Sequence, residues 1–476
     1  MTDWLGGTRR SRKFGSRPAD PSGHPPAHPA ARTVRLAALP IAYAGRHAAG
    51  LGKLLHGAPA ETVYAEIRER TARHIFEVLG NLRGCAAKLG QILALYPGGL
   101  PYEIAGPYRE ALANLQFAAP PMLPGAVHAA MTQYLGPDWR DAFLEFDDRR
   151  PMAASIGQVH RAIWRDGTPV AVKIQYPGVA EAIESDLRQV RHLAFVAGVM
   201  LPSMDLDGLV GELCEGIRIE LDYRREAENQ RIAAEKYTDD PEFAIPRVVE
   251  QRAGVLVTEW LDGELLTTAL LHGMPSETRD RVGASIFRFC MLSPARTGLI
   301  YCDPHPGNFV ILPDGRLGVI DFGACTPQPP GFDDMIAPAL EAALNGSADE
   351  FDALLRDYGF IPPGQDVDIA EFTRVLDPFV RMALEPTAEF STEWLRARIG
   401  EGLSPRLDNV HRHLAMPPAL WSYSRTLLSM VAVLAQLGAT IPAGDIAIER
   451  LPEFEAIRAR ARARTAAGNG VSLRRV

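Results

Sequence analysis

Cysteine is scarce in this 476-residue chain: five residues, at positions 85, 214, 290, 302 and 325, odd in number and without a CxxC pair. That scatter excludes a disulfide framework and zinc-type spacing, and it favours a reducing cytosol. No apolar run reaches the roughly 20 residues that a membrane-spanning helix needs. The nearest stretch, Thr426 to Ala439, is too short and carries Ser429 and Gln436, so it reads as an amphipathic core helix. Internal repeats are lacking. With 47% hydrophobic and 23% charged residues, the composition is not that of a disordered, collagenous or coiled-coil chain. At about 150 residues per domain, the length allows roughly three domain-sized units, or one two-lobed fold with extensions.

The net charge of −8 is unevenly spread. Residues 1–47 carry eight basic side chains against Asp3 and Asp20, and residues 457–476 carry six Arg and no acid, which leaves −20 on residues 48–456. Nucleic acid is therefore not the expected ligand, because phosphate binding needs clustered Lys and Arg. Basic ends of this kind read as solvated tails, with anionic lipid or the acidic body as alternative contacts.

Residues 14–31 hold five prolines among Gly and Ser, the composition of a flexible tail. From Glu61 to Leu95, Ile75, Leu79, Leu82, Ala86, Leu89 and Leu93 recur at steps of three and four, which predicts a helix. Lys88 and Gln91 lie off that stripe and, taken alone, read as a solvated face. Pro151 to Ala162 is a small-residue loop entering a strand. Asp166-Gly167 marks a hairpin turn, and Pro169 to Gln175 is the return strand with Lys173 inside it. A lysine within an apolar strand is costly unless it is paired, functional or snorkelling from an edge. Val179 to Tyr237 reads as helical, with Asp222 and Glu226 four apart on one face. Gly254 to Gly263, containing Glu259, reads as a strand running into a loop.

The strongest signal is Tyr301-Cys302-Asp303-Pro304-His305-Pro306-Gly307-Asn308-Phe309, followed by a strand, a turn, a strand and Asp321-Phe322-Gly323. An Asp, an Asn five residues later and an Asp-Phe-Gly after a hairpin form the layout of a kinase catalytic centre, and Val170-Ala171-Val172-Lys173 matches the strand that supplies its phosphate-binding lysine. ATP phosphates need a cation such as Lys173. Mg2+ prefers oxygen ligands, which Asp321 and Asn308 offer. Asp303 stands where a base or water-orienting group belongs. His305 reads as a brace for the loop, and Cys302 as a small buried residue.

Together these motifs resemble the UbiB/ADCK (aarF-domain) family of atypical kinases, linked to quinone biosynthesis. The matching segments are Lys88-Leu89-Gly90-Gln91 (the family's KxGQ), the Ala-rich loop Ala153-Ala154-Ser155, Val170 to Lys173, Glu220-Leu221-Asp222 (its ExD), Asp303 to Asn308, and Asp321 to Gly323. The Ala-rich loop is one Ala short, with Met152 near its first position. No Ala-Pro-Glu follows Asp321-Phe322-Gly323, which disfavours peptide substrates. The paired C-terminal membrane helices of some bacterial members are missing from the sequence.

The resemblance implies an α+β, two-lobed protein-kinase-like fold with an N-terminal helical KxGQ extension. The expected divisions are a disordered basic tail over 1–32, the helical extension over 33–140, the N-lobe over 141–262, the C-lobe over 263–456 and a basic tail over 457–476. It implies ATP or ADP and Mg2+ as cofactors, with Asp303, Lys173, Lys88 and Gln91 catalytic and Asn308 and Asp321 on the metal. Ala153, Ala154, Ser155, Lys173, Glu220, Asp222, Glu226 and Glu259 are then the nucleotide-binding set. Glu226 is the expected partner of Lys173, with Glu220 as the substitute, and Lys88 is expected to lie over the cleft against Glu220 and Asp321. The implied activity is ATP hydrolysis or phosphoryl transfer to a small or lipid-like acceptor in quinone or isoprenoid-lipid homeostasis. Peptide phosphorylation and an ATP-binding pseudokinase scaffold are the alternatives. The expected location is cytoplasmic, with attachment at the inner face of the membrane through a membrane surface or a quinone-type lipid as an option, and a homodimer is compatible with this reading.

Overall fold

The computed structural model of the chain describes Val63 and residues 121–154, 156–184, 187–188, 214–216, 218–373, 382, 384–395, 397, 417 and 420–466. The KxGQ segment with Lys88 and Gln91, the N-terminal tail, Ser155 and residues 467–476 lie outside these.

The first lobe is a twisted antiparallel sheet. Helix α1 (Pro124–Leu135) and a 3-10 turn (Trp139–Ala142) precede β1 (Phe143–Phe146), β2 (Met152–Ala153), β3 (Gly157–Trp164) and β4 (Pro169–Gln175). Helix α2 (Tyr223–Lys236), β5 (Phe243–Ala244), β6 (Val248–Arg252) and β7 (Val255–Glu259) follow. The strand order is β1-β3-β4-β7-β6, with β2 on β3. Alternation in β4 sends Val170, Val172 and Ile174, all fully buried, to one face, and Ala171, Lys173 and Gln175 to the other. The apolar face needs cover, and α1 supplies it with Val127, Ala130 and Met131. Helix α1, which falls within the expected extension over 33–140, thus packs into the core of the first lobe.

The second lobe contains β8 (Glu264–Leu265), α3 (Leu266–His272), α4 (Ser276–Thr297), β9 (Leu299–Tyr301), β10 (Phe309–Ile311), β11 (Leu317–Val319) and β12 (Cys325–Pro327). It continues through α5 (Phe332–Asn345), α6 (Ala348–Asp357), β13 (Ala388–Glu389), α7 (Trp421–Leu437), β14 (Thr440–Ile441), α8 (Ala443–Arg450) and α9 (Glu453–Ala466). Its core gathers Val282, Ile286 and Phe289 of α4 with Met430, Val433 and Leu434 of α7, around the segment that carries Tyr301, Phe309 and Phe322. Of the stretch Thr426 to Ala439, read as an amphipathic helix, residues 426–437 lie in α7, which ends before Gly438 and Ala439. Strand β5 pairs in parallel with β11 and ties the chain after α2 to the hairpin before Asp321. Among the described residues, no helix is long and apolar enough to cross a membrane.

The C-terminal tail expected from residue 457 is, through Ala466, a packed helix. Phe454, Ile457 and Ala461 of α9 are buried against Leu344 and Leu384. Its arginines turn back on the body: Arg458 to Asp445 (2.8 Å), Arg460 to Glu341 (2.6 Å), Arg462 to the Leu384 carbonyl and Arg464 to the Asn345 carbonyl. Phe454→Ala should therefore cost about 3–5 kcal/mol, the range for a buried Phe. A thermal melt that moved no more than a surface substitution does, within about 0.5 kcal/mol, would return α9 to the status of a tail.

Candidate active site

Lys173 does not snorkel from an edge. Its strand, β4, lies between β3 and β7, where Lys173 is opposite Val159 and Leu256. The side chain points from the polar face of the sheet toward α2, and its Nζ donates to Glu226 Oε1 and Oε2 at 2.8 and 3.0 Å. It also donates to Asp321 Oδ2 at 3.0 Å, and lies 5.1 Å from the centre of the Tyr223 ring, a cation–π distance. The Glu226 side chain is only 3% exposed, whereas that of Asp321 is 33% exposed.

One ammonium thus serves two carboxylates. Burial alone would lower the Lys173 pKa, but Asp321 and Glu226 carry it well above the ordinary lysine value, so Lys173 stays charged. Burial pushes Glu226 up to about 7 against the pull of Lys173. Burial acts in the same direction on Asp321, but Lys173 and the Gly323 N–H outweigh it and hold this carboxyl below the usual range. Asp321 is accordingly the better-established anion of the two.

The loop between β9 and β10 is built by short-range hydrogen bonds. His305 caps the 3-10 turn Pro306–Asn308, its Nδ1 accepting from the Gly307 N–H at 3.1 Å. The Asp303 carbonyl accepts from the His305 N–H at 2.8 Å and from Asn308 Nδ2 at 2.9 Å. The Ile320 N–H donates to the Asn308 carbonyl at 3.1 Å, which sets Asn308 beside Asp321. Cys302 is a buried thiol beside the Ile300 carbonyl. Lys173, Glu220, Glu226, Asp303, Asn308 and Asp321 line one cleft between the lobes.

The rest of the expected set is placed differently. Asp222 is not on the helix with Glu226. It is the N-cap of α2, its carboxylate accepting from the Arg224 and Arg225 N–H groups at 3.1 Å each. An Asp at that position satisfies amides that a continuous helix would not leave open, which is why the helix predicted from Val179 restarts at Tyr223. Glu259 ends β7, pairs its carboxylate with Arg247 at 2.6 Å and is not among the described residues that line the cleft. Ala153 is in β2, and the Ala154 N–H donates to the Gly157 carbonyl at 3.1 Å, closing the Ala-rich turn. Gly157 is required there, since a Cβ would lie 2.1 Å from the Ile174 carbonyl oxygen.

Sequence reasoning missed Ile156, an apolar wall of the cleft, and the Tyr223 ring under Lys173. It also missed Arg225 and Asn229, which bond to the backbone after Asp321. The helical spacing Tyr223, Glu226, Asn229 was a signal that could have found two of these.

The donor set suits a hard divalent cation. Asp321 is an ionised carboxylate, and commitment of the Asn308 side-chain nitrogen Nδ2 to the Asp303 carbonyl leaves the side-chain oxygen Oδ1 for a ligand.

Comparisons with known proteins agree with this geometry. The model of the ABC1 atypical kinase-like domain matches residues 114–354. The atypical kinase coq-8, mitochondrial, of Caenorhabditis elegans is 28% identical over 420 residues, covering 84% of this chain and 53% of the relative, so the chain spans about half the length of that protein. The atypical kinase COQ8B, mitochondrial, of Rattus norvegicus is 28% identical over 390 residues, covering 80% of this chain and 72% of the relative. Among solved structures, Rv3197 of Mycobacterium tuberculosis, in complex with erythromycin, is 38% identical with a TM-score of 0.62, covering 83% of this chain and 99% of the other. With more than half of its length matched, and with the lysine, paired glutamate and aspartates of a kinase cleft in place, the chain belongs to the ABC1 atypical kinase-like family, the UbiB/ADCK group that its motifs resemble.

Proposed function

We propose that the cleft binds ATP or ADP with Mg2+ and uses it for hydrolysis or phosphoryl transfer to a small or lipid-like acceptor. The observation that carries this reading is Lys173 on a central strand, held by Glu226 and Asp321 in a cleft that also contains Asp303 and Asn308. Asp321 and Asn308 would hold the cation, which when bound neutralises phosphate charge. Lys173 binds and orients the phosphates, and Glu226 keeps it charged and aimed. Asp303 accepts the proton of an acceptor hydroxyl or orients a water. Lys88 and Gln91 complete the set, with Lys88 against Glu220 and Asp321 as the family pattern implies. Glu220 lines the cleft where that contact would fall, and Asp222 contributes by capping α2. Quinone or isoprenoid-lipid homeostasis is the role we propose from the family resemblance.

The test is ATP turnover by the purified chain with and without quinone-precursor-like phenols and anionic liposomes. Stimulation by either supports a small or lipid-like acceptor. Turnover only with peptides would favour the protein-kinase alternative, and binding without turnover the scaffold. A second reading rests on the mycobacterial relative: a bulky amphipathic small molecule of the macrolide kind as ligand. Erythromycin belongs in the same assay, and a thermal shift with it but not with phenols would favour that reading.

The Ala-rich turn supplies a prediction. Gly at Ala154 frees the backbone and lets N–H groups approach phosphates more closely. We expect tighter ATP binding relative to ADP in Ala154→Gly, with the variant melting within about 1 kcal/mol of wild type without nucleotide, the ordinary cost of the added backbone freedom. An unchanged ATP-to-ADP affinity ratio would remove selectivity from this turn.

A further inference from the structure

Two buried carboxamides are neighbours on α2 and are aimed at different parts of the molecule. Asn229 Nδ2 donates to the Phe322 carbonyl at 3.1 Å, while Gln230 Nε2 donates to the Pro246 carbonyl at 2.7 Å. They are 7% and 0% exposed. A third donor, Arg225 Nη2, reaches the Cys325 carbonyl at 3.1 Å. Within five residues, α2 therefore supplies Glu226 to Lys173 and two donors to the backbone on either side of Gly323.

Phe322 follows Asp321 directly, and Asp321 Oδ1 accepts from the Gly323 N–H at 3.0 Å. The direction of the Asp321 carboxylate is thus set by the backbone turn that Asn229 holds. A buried carbonyl that loses its donor is left unsatisfied, so the turn would be driven to find another arrangement. Gly323 also leaves little room for drift: a Cβ there would stand 3.3 Å from Asp321 Oδ1 and 3.5 Å from Glu226 Oε2.

We infer that Asn229 is a positioning residue: by holding the Phe322 carbonyl it fixes Asp321 to the helix that carries Glu226, so that helix and loop present Lys173, Glu226 and Asp321 as one unit. A helix bonded in this way cannot swing outward while the Asp321 turn stays in place. This inference rests on the reading of Asp321 as the group that receives the cation of a bound nucleotide.

Gln230 provides a matched control, being the same kind of bond on the same helix but aimed at Pro246. The experiment uses the full chain with Asn229→Leu and Gln230→Met, which keep the branched shape of Asn and the reach of Gln respectively and lack the donor. Hydrogen–deuterium exchange is read first, without nucleotide or metal, as the rate of the 321–325 amides relative to those of β4. Mg-ADP affinity is read second. We expect Asn229→Leu to speed exchange of the 321–325 amides at least tenfold and to weaken Mg-ADP at least tenfold. Gln230→Met should lower the melting temperature while leaving both readings within twofold of wild type. If Asn229→Leu does not fold, Asn229→Ala is read in the same way.

Unchanged exchange in the Asn229 variant overturns the inference, as does faster exchange with unchanged Mg-ADP affinity. So does a Gln230→Met protein that reproduces both effects, since that would reduce Asn229 to general packing. If wild type fails to bind Mg-ADP at all, the nucleotide reading falls by itself, and the metal-free exchange still decides whether Asn229 holds the turn.

Discussion

Lys173→Met is expected to unfold more readily than wild type by about 3 kcal/mol, and the deficit should be larger at pH 8 than at pH 6. The figure is the low end of the range of about 3–5 kcal/mol for breaking a buried ion pair by removing one partner, chosen because Asp321 keeps a third of its side chain in solvent. Without the ammonium, Glu226 and Asp321 share a site with no cation between them. Glu226 already stands near 7, against an ordinary value of 4.5, and losing Lys173 raises it further.

A carboxyl whose folded-state pKa lies above its unfolded value binds more protons when folded. Its destabilising effect is complete above the folded-state value and fades as pH falls toward 4.5, where both states are protonated. The sign is the reverse of that for a carboxylate held low by a salt bridge. Thermal melts of both proteins at the two pH values, without nucleotide, check it. A deficit that is absent, or that does not change with pH, would mean that Lys173 is not the counter-ion of these acids.

Asp321→Asn carries the second large effect. Wild type at a nucleotide concentration about 100 times its dissociation constant should gain about 2.7 kcal/mol of stability when Mg2+ is present. The variant should lose the Mg-dependent part, because an amide oxygen replaces a charged ligand. Its own stability should change less than that of Lys173→Met, since Lys173 retains Glu226 as a partner at 2.8 Å. A variant that keeps the full Mg-dependent shift would show that the cation is held elsewhere.

The hairpin over 157–175 was legible in the sequence because its signals are local: a turn dipeptide, β-branched alternation and a lysine out of place. The chain has five lysines among its fifty basic residues, so a lysine in a strand, where Arg is the common cation, was itself a mark. The spacing from Asp303 through Asn308 to Asp321 was legible for the same reason, since one short loop and one hairpin hold all three.

What was not legible depends on partners far along the chain. Helix α1 could be read as a helix, but its place on the sheet follows from the apolar face of β4, some 40 residues later. The run of alternating arginines from 458 to 464 masked the three-and-four spacing of Phe454, Ile457 and Ala461, because charges two apart spread around a helix. Asp222 and Glu226 have helical spacing, yet the first is a cap, and a cap differs from a first-turn residue by only one position. Asn229 gave no chemical signal of its own. Its importance comes from Phe322, 93 positions away.

The central claim is that the cleft around Lys173, Asp303, Asn308 and Asp321 binds an adenine nucleotide through a divalent cation. Equilibrium titration of the wild-type chain with ATP, in Mg2+ and again in a chelator, tests it most directly. The account predicts saturable binding to one site that weakens at least tenfold when Mg2+ is removed. Binding that is absent, or that is equally tight in the chelator, would contradict it.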